Sequence, residues 1–189
     1  HPDSDVDHAM HYLTCVGNAA FVASGPATGA RGIVTGEHAR LLVDFAPDVL
    51  ELLTVGDRIV VKTAGRGMKL LDFPGVLVKK AGPNLIEAWG LRASPAGKLQ
   101  VPVVATIPAH IMGSGAELTP EFVDQDLMTG DRAALAEHGI DDLKLGDLVA
   151  VMDTDHRYGR GYRASGVTIG LIMHGDSVMT GHGPGCQDM

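Results

Sequence analysis

The segment MDTDHRYGRGYR, residues 152–163, concentrates side chains that could do chemistry. In an extended strand Asp153 and Asp155 would face one side and His156 the other, because successive side chains alternate. Two carboxylates on one side could hold a metal ion or share a proton as a general acid–base pair. Arg157 and Arg160 could instead bind a substrate carboxylate. The alternative interpretation is a solvated loop held together by internal ion pairs.

A second group lies in HGDSVMTGHGPG, residues 174–185, directly after an apolar stretch. Imidazole and carboxylate ligands suit zinc, manganese or iron(II), so His174, Asp176 and His182 form a candidate divalent-metal site. Their spacing matches no diagnostic metal motif, and the helical His-Glu-x-x-His pattern is absent. Two alternatives therefore stay open: histidines that act on a ligand without a metal, and a structural loop whose histidines bond to the backbone.

The glycines of the same segment carry a separate prediction. Gly181, Gly183 and Gly185 alternate along the chain, which lets backbone approach closely or adopt a positive φ. The N–H groups of such a loop can form an anion-binding nest, so Gly183 is a candidate for substrate binding. Tight packing against a neighbouring loop or another subunit would require the same glycines.

Together these residues predict one site in the C-terminal third of the chain. The hypothesis requires their side chains to converge in one pocket, with Asp155 on the same side of the fold as His174. The predicted catalytic residues are Asp153, Asp155, His156, His174, Asp176 and His182. The predicted substrate-binding residues are Arg157, Arg160 and Gly183, and the predicted metal ligands are His174, Asp176 and His182.

The elements that must position this site are mostly short strands joined by glycine turns, which predicts a mainly β fold, a barrel or a sandwich. Three or four short helices are expected: residues 46–53, 84–91 and 131–138, and one that starts at Thr119-Pro120-Glu121. Residues 1–14 are polar and are expected to form a loose arm. The apolar stretch 166–174 predicts a buried strand that ends at His174.

A repeated pattern bears on domain organisation. LLTVGDRIVVK (residues 52–62) and LKLGDLVAVMD (residues 143–153) each place Gly-Asp before an alternating strand, and Gly-Arg-Gly follows both. We predict one compact unit over residues 1–189, in which residues 12–92 and 98–185 form two related β-units. Recurrent turn chemistry without a common origin is the alternative.

Composition limits the partners. The net charge of −8 disfavours nucleic acid, and no apolar run approaches the roughly 18 residues that cross a bilayer. Two cysteines are too few for a disulfide framework, which favours a reducing cytoplasm. One expected partner is a small-molecule ligand or substrate. The chain is also expected to pair either with further copies of itself or with a missing N-terminal segment.

Three segments carry a family resemblance: CVGNAAFVASGPATGARGIVTG, VGDRIVVKTAGRGMKLLDFP and GDLVAVMDTDHRYGRGYRASGVTIGLIMHGDSVMTGHGPG. They resemble an uncharacterised family of bacteria and archaea, the domain of unknown function 4438. Members usually carry a further N-terminal segment, so the resemblance implies that His1 is a break in a longer protein. The family brings no established activity. The C-terminal β-region is also weakly similar to acetamidase/formamidase amide hydrolases.

The functional hypothesis is a small-molecule enzyme that hydrolyses an amide or an amino-acid derivative. In it a histidine acts as general base or metal ligand, an aspartate orients the histidine or holds the metal, and an arginine pairs with a substrate carboxylate. The alternative is a non-catalytic ligand-binding or oligomeric assembly protein, whose glycine loops pack subunits or hold a ligand.

Overall fold

The computed structural model describes residues 4–38, 40–114, 124–128 and 130–189. Within these ranges short strands dominate, as the sequence predicts. The helices are α1 (Ser4–Leu13), α2 (Pro47–Leu50), α3 (Pro83–Ala88) and α4 (Arg132–Glu137), with a 3-10 turn at Ala109–Ile111. The strands are β1 (Ala19–Val22), β2 (Arg31–Glu37), β3 (Leu41–Phe45), β4 (Ile59–Lys62), β5 (Arg92–Ala93), β6 (Leu99–Gln100), β7 (Ala105–Ile107), β8 (Asp124–Asp126), β9 (Leu148–Thr154), β10 (Tyr162–His174) and β11 (Gly185–Asp188).

Two main sheets form a sandwich-like arrangement. The first sheet has the strand order β3-β2-β1-β4, and the second has the order β7-β9-β10-β11-β8. Strands β5 and β6 form a small separate ribbon. All neighbours pair antiparallel except β7 and β9, which are parallel. Neither main sheet closes on itself in the part of the chain described, so the sandwich alternative is confirmed and the closed barrel is wrong.

The two sheets meet where β2 faces β10. Gly36 of β2 lies against Met173 of β10, and a Cβ added at Gly36 would stand 2.6 Å from the Met173 Cβ. This close approach explains why glycine occupies that strand position. Leu171 and Met173 pack into the core between the sheets, whereas the intervening Ile172 points into a second core on the opposite face. Strand β10 is therefore buried on both faces at its C-terminal end, as its continuous apolar sequence predicts.

The N-terminal residues differ from the expected loose arm, because Ser4–Leu13 form helix α1. A buried ion-pair network holds the helix against the first sheet. His11 Nδ1 lies 2.7 Å from Glu37 Oε1, and Lys80 Nζ lies 2.8 Å from Glu37 Oε2. Lys80 also donates to the backbone oxygens of His11 and Thr14. The tertiary partner of His11 lies 26 residues away, so the local sequence pattern could not predict it.

Three of the predicted helices are present. Helices α2 and α3 carry proline in the first turn, where its missing N–H costs no hydrogen bond. Helix α4 is capped by Asp131, whose side chain accepts a hydrogen bond from the Ala134 N–H. The helix start predicted at Thr119–Glu121 lies outside the described residues. No helix in the described ranges is long and apolar enough to span a bilayer.

The two Gly-Asp strands occupy different sheets, since β4 is an edge strand of the first sheet and β9 is an interior strand of the second. The interpretation of residues 12–92 and 98–185 as related β-units therefore stays a prediction.

Candidate metal centre

The β9–β10 hairpin separates the two groups of predicted site residues. Thr154 pairs with Tyr162 at the start of β10, whereas His174 stands at its end. At about 3.3 Å per residue, the regular part of this strand from Val167 to His174 alone spans roughly 20 Å, and Asp155 lies beyond its far end. The structure therefore does not bring these two groups together in one pocket, because an antiparallel hairpin places its connecting loop at the far end of the strand.

The Asp153–Arg163 loop is organised by its own hydrogen bonds. Asp153 has a positive φ of 56°, and its Oδ1 accepts a hydrogen bond from the Ser165 N–H. Arg157 donates to both carboxylate oxygens of Asp155, at 2.8 and 2.7 Å, and Arg163 reaches the same carboxylate at 3.4 Å. The hydrogen bonds from Arg157 hold the pKa of Asp155 well below its usual range. These contacts match the alternative interpretation, a loop of internal ion pairs.

His156 belongs to a buried polar group behind that loop. Its Nδ1 lies 3.0 Å from Asp188 Oδ2 and 2.7 Å from the side-chain amide nitrogen of Gln125. Lys79 Nζ donates to the His156 backbone oxygen and stands 3.6 Å from the Asp188 carboxylate. His156 and Asp188 are almost fully buried.

The remaining predicted residues of the 174–185 segment point in different directions. Asp176 Oδ2 lies 2.5 Å from Arg132 Nη2 in an exposed ion pair. His182 is exposed, and its Nδ1 lies 3.2 Å from the Thr180 backbone oxygen. Gly183 packs close to the Gly175 backbone oxygen, 2.6 Å from the place where a Cβ would stand. Arg160, from the other group, lines a cavity that Asp153 also lines.

His174 takes part in a cluster that spans three neighbouring strands of the second sheet. In the ladder, Asp126 of β8 pairs with Gly185 of β11, and Gly185 pairs with His174 of β10. Because Gly185 has no side chain, the His174 ring extends over it, and its Nε2 stands 3.2 Å from Asp126 Oδ1. A Cβ at Gly185 would lie only 1.9 Å from that Nε2. The predicted close approach at this glycine is thereby confirmed.

The facing sheet supplies the rest of the cluster. His38, directly after β2, places its Nδ1 2.8 Å from Asp124 Oδ2, and its ring centroid lies 4.3 Å from that of His174. Asp124 and Asp126 alternate along β8 and are both buried, whereas half of the His38 side chain is exposed. Two imidazoles and two carboxylates therefore meet at the junction of the sheets.

The dimensions of the cluster suit a divalent cation. One ligand atom each from His38, Asp124 and His174 lies within 4.8 Å of the others. Ligand atoms around one zinc ion at about 2.0–2.2 Å stand roughly 3–4 Å apart, so a closure of about 1 Å would complete the site. His38 can supply that movement because its side chain is half exposed beyond the end of a strand.

The histidine tautomer also favours metal binding. His174 Nδ1 lies 3.0 Å from the Gly175 backbone oxygen, which can only accept, so we assign the ring proton to Nδ1. The lone pair of Nε2 then remains available inside the cluster. Within the described residues, His174 Nε2 and Asp126 Oδ1 are buried without a hydrogen-bond partner, since their 3.2 Å contact lies outside hydrogen-bond geometry. A cation bound to Nε2, with a water molecule on it that donates to Oδ1, would satisfy both atoms, and a backbone carbonyl commonly orients a metal-binding histidine.

Burial dominates the electrostatics of Asp124. Desolvation raises its pKa to about 6, the hydrogen bond from His38 opposes this shift, and the nearby Asp126 adds to it. A cation would remove the desolvation penalty by compensating the negative charge. The pair of buried carboxylates is therefore the main electrostatic reason to expect a cation here.

His38, Asp124 and Asp126 were not among the predicted site residues. The alternation Asp124-Gln125-Asp126 beside apolar Leu127 could have indicated a strand with acids on one face. His38 gave no such signal, because only the packing of one sheet on the other brings it near His174.

Comparisons with known proteins place the chain among relatives. A solved structure described as "Crystal structure of TM1086" is similar over 99% of this chain, with 43% sequence identity and a TM-score of 0.92. The present chain spans 66% of the length of that chain. No curated protein matches, and the weaker similarity to acetamidase/formamidase hydrolases finds no support.

Two family models together match the whole sequence. The N-terminal domain of DUF4438, a domain of unknown function, matches residues 1–87, and the C-terminal domain of the same family matches residues 88–189. The resemblance seen in the sequence is confirmed. The chain belongs to the DUF4438 family, whose function is unknown.

Proposed function

We propose that the protein is a metal-dependent enzyme that hydrolyses a small polar molecule. The observation that carries the proposal is the convergence of His38, Asp124 and His174, whose ligand atoms lie within 4.8 Å of one another beside the buried carboxylate of Asp126. Two histidines and one carboxylate leave coordination positions open for water and substrate, an arrangement that zinc and iron(II) enzymes use.

The chemistry would be hydrolysis by an activated water molecule. A bound divalent ion lowers the pKa of its water towards neutrality and polarises a carbonyl oxygen. Asp126 is placed to accept the water proton, because its Oδ1 lies inside the cluster without a hydrogen-bond partner among the described residues. In the hydrolysis of an amide, water would add at the carbonyl carbon, the C–N bond would break, and the proton that Asp126 accepts would pass to the departing amine.

An amide or amino-acid derivative is the substrate class that we propose, as in the sequence-based hypothesis. The support is chemical: a neutral carbonyl group can approach a cation held by two imidazoles and a carboxylate, which carry one negative charge together. The proposed compartment is the cytoplasm, because both Cys15 and Cys186 are buried free thiols.

The decisive experiment compares two histidines. Purified protein is stripped with a chelator and titrated with zinc, manganese and iron(II) under reducing conditions, using a competing chromophoric chelator. His38→Ala removes a ligand of the cluster described above. His182→Ala is the matched control, because His182 is also exposed and belongs to the metal set that the sequence alone predicts.

The expected result is stoichiometric binding of one ion that His38→Ala weakens by at least about 100-fold and His182→Ala leaves unchanged. Weaker binding in His182→Ala with unchanged binding in His38→Ala would refute the cluster. That result would support the sequence-based set of His174, Asp176 and His182. Absence of binding to the parent protein would refute a metal function altogether. Hydrolysis is then tested with a panel of acyl amides, with the metal-free protein as the blank.

A non-catalytic assembly role is the second candidate, and one observation favours it. Val178 is fully exposed and Met179 is 58% exposed on the segment that follows His174. Apolar side chains at such a position suit contact with another copy of the chain. Sedimentation analysis of the parent and of Val178→Ser tests this role, which requires a parent oligomer that the substitution dissociates.

A further inference from the structure

We propose that a second site binds a small carboxylate with a hydrocarbon body, in a cavity of about 270 Å³ between the β9–β10 hairpin and the 70–101 segment. Its lining shares no residue with the His38–Asp124–His174 cluster. The proposal is therefore independent of the metal site, and its failure would leave the proposed function intact.

The walls of the cavity are mainly apolar. Leucine, isoleucine, valine and tryptophan side chains line it from both sides, among them Leu70, Leu77, Ile86, Trp89, Val167 and Ile169. Leu77 and Val167 are about half exposed although they border the cavity. A ligand that covers these side chains would bury apolar surface that now contacts water, which is the main source of affinity in small pockets.

The size of the cavity limits the ligand. If each water-sized group takes about 30 Å³, the cavity accommodates roughly six to ten non-hydrogen atoms. A straight or branched chain of four to eight carbons with one polar head group fits this range. Larger cofactors such as nucleotides exceed it.

The charged residues at the cavity favour an anionic head group. Its lining contains three cationic side chains, Lys79, Arg157 and Arg163, and two side-chain carboxylates, Asp155 and Asp188. Lys79 stands 3.6 Å from the Asp188 carboxylate and Arg157 holds Asp155, so the largely exposed Arg163 is the cation best placed to meet a monoanion.

Arg163 is the residue that we assign to the ligand carboxylate. Arg157 already holds Asp155 through two hydrogen bonds of 2.8 and 2.7 Å, whereas Arg163 reaches Asp155 only at 3.4 Å. The Arg163 side chain is 62% exposed, while the Asp188 carboxylate is buried. The ligand would therefore place its hydrocarbon body inside and its carboxylate at the open end, where a guanidinium can bind it through paired N–H groups.

A series of matched probes tests the proposal without a substitution. Hexanoate, hexanamide and hexanol have nearly the same shape and differ in the head group. Each is titrated up to 10 mM, a limit chosen roughly tenfold above the weakest expected Kd, into nitrogen-labelled full chain, and the backbone amide shifts are followed by NMR. Hexanoate is expected to bind with a Kd below about 1 mM, to shift the amides of cavity-lining residues, and to bind about three- to tenfold more tightly than hexanamide.

A pair of arginine variants tests the assigned head-group contact. Arg163→Gln is expected to weaken hexanoate binding about three- to tenfold and to leave hexanamide binding unchanged. Arg160→Gln is the control, because Arg160 is an exposed arginine of the same loop that does not line this cavity.

Three results would overturn the proposal. The first is absence of saturable hexanoate binding over the titrated range. The second is amide shifts that map to the metal cluster instead of the cavity. The third is equal affinity for hexanoate and hexanamide together with equal effects of the two arginine variants.

Discussion

Replacing Gly185 with alanine should abolish metal binding while the protein stays folded. The added Cβ would stand 1.9 Å from His174 Nε2 and 2.1 Å from Cδ2, whereas ordinary contact begins at 3.4 Å. The ring must therefore withdraw by about 1.5 Å, because the Cβ is fixed to the ladder between β10 and β8. Metal–ligand distances tolerate changes of only about 0.2 Å. Nε2 can then no longer share an ion with Asp124.

The size of the effect follows from these distances. Loss of one ligand should weaken zinc binding by at least about 100-fold, since disturbing even the outer hydrogen bonds of metal ligands costs 10- to 100-fold. Overpacking in a closely packed strand costs about 1–3 kcal/mol of unfolding free energy. For a chain of this length, that corresponds to a Tm lower by about 2–12 °C in metal-free protein.

The assay combines equilibrium zinc competition with thermal unfolding in the presence of chelator. Gly175→Ala is the control, because it adds the same methyl group beside the same histidine but meets no atom within 4 Å. We expect Gly175→Ala to match the parent in zinc affinity and Gly185→Ala to lose it while its circular dichroism spectrum stays native. Zinc affinity within threefold of the parent in a folded Gly185→Ala protein would refute the assignment of His174 as a ligand.

Three further predictions concern burial and packing. Burial raises the pKa of Asp124 from 3.8 to about 6. In metal-free protein the folded state therefore binds this proton more tightly than the unfolded state does. The contribution of this proton to the unfolding free energy is complete below about pH 4 and is lost as the pH rises through 6. Between pH 4 and 7, the difference in unfolding free energy between the parent and Asp124→Asn should change by on the order of 3 kcal/mol. Parallel pH curves for the two proteins would contradict the raised pKa of Asp124. Burial raises the pKa of the Cys186 thiol beyond its usual range, so iodoacetamide should label it only after denaturation. Peptide mass mapping distinguishes it from Cys15, and rapid labelling of Cys186 in folded protein would contradict its burial. Gly36→Ala should lower the urea unfolding free energy by about 1–3 kcal/mol because its Cβ would press on Met173, and an unchanged midpoint would argue against the described packing of the two sheets.

The sequence predicts the local features of the fold well. Proline at the first turn marks α2, Asp131 and Gly139 bracket α4, and the apolar run 166–174 marks the C-terminal part of β10. Helix α3 is predicted with Asn84 as its N-cap, but it begins at Pro83 with Gly82 as the cap. Each of these signals acts within a few residues of itself, through capping, turn geometry or the burial of one strand. The mainly β class follows from their sum.

The candidate site was only partly predictable, because it depends on register and sheet packing. The sequence indicated His174 but paired it with Asp176 and His182, its neighbours in the chain. The structure brings His174 to Asp126, 48 positions away, because β11 lies between their strands. A hairpin also separates Asp155 from His174, although the sequence-based hypothesis assigns both to one site.

The position of β11 has a consequence for folding. Strands β9 and β10 are joined by a short loop and can pair early, whereas β8 finds its described strand partner only in β11, about 60 residues further along the chain. Asp126 and His174 therefore meet only after β11 has inserted between them. A chain that stalls before this step holds the ligand Asp124, which lies on the same strand as Asp126, apart from the ligand His174. Uptake of a metal ion would therefore show that the last long-range pairing of the sheet is complete.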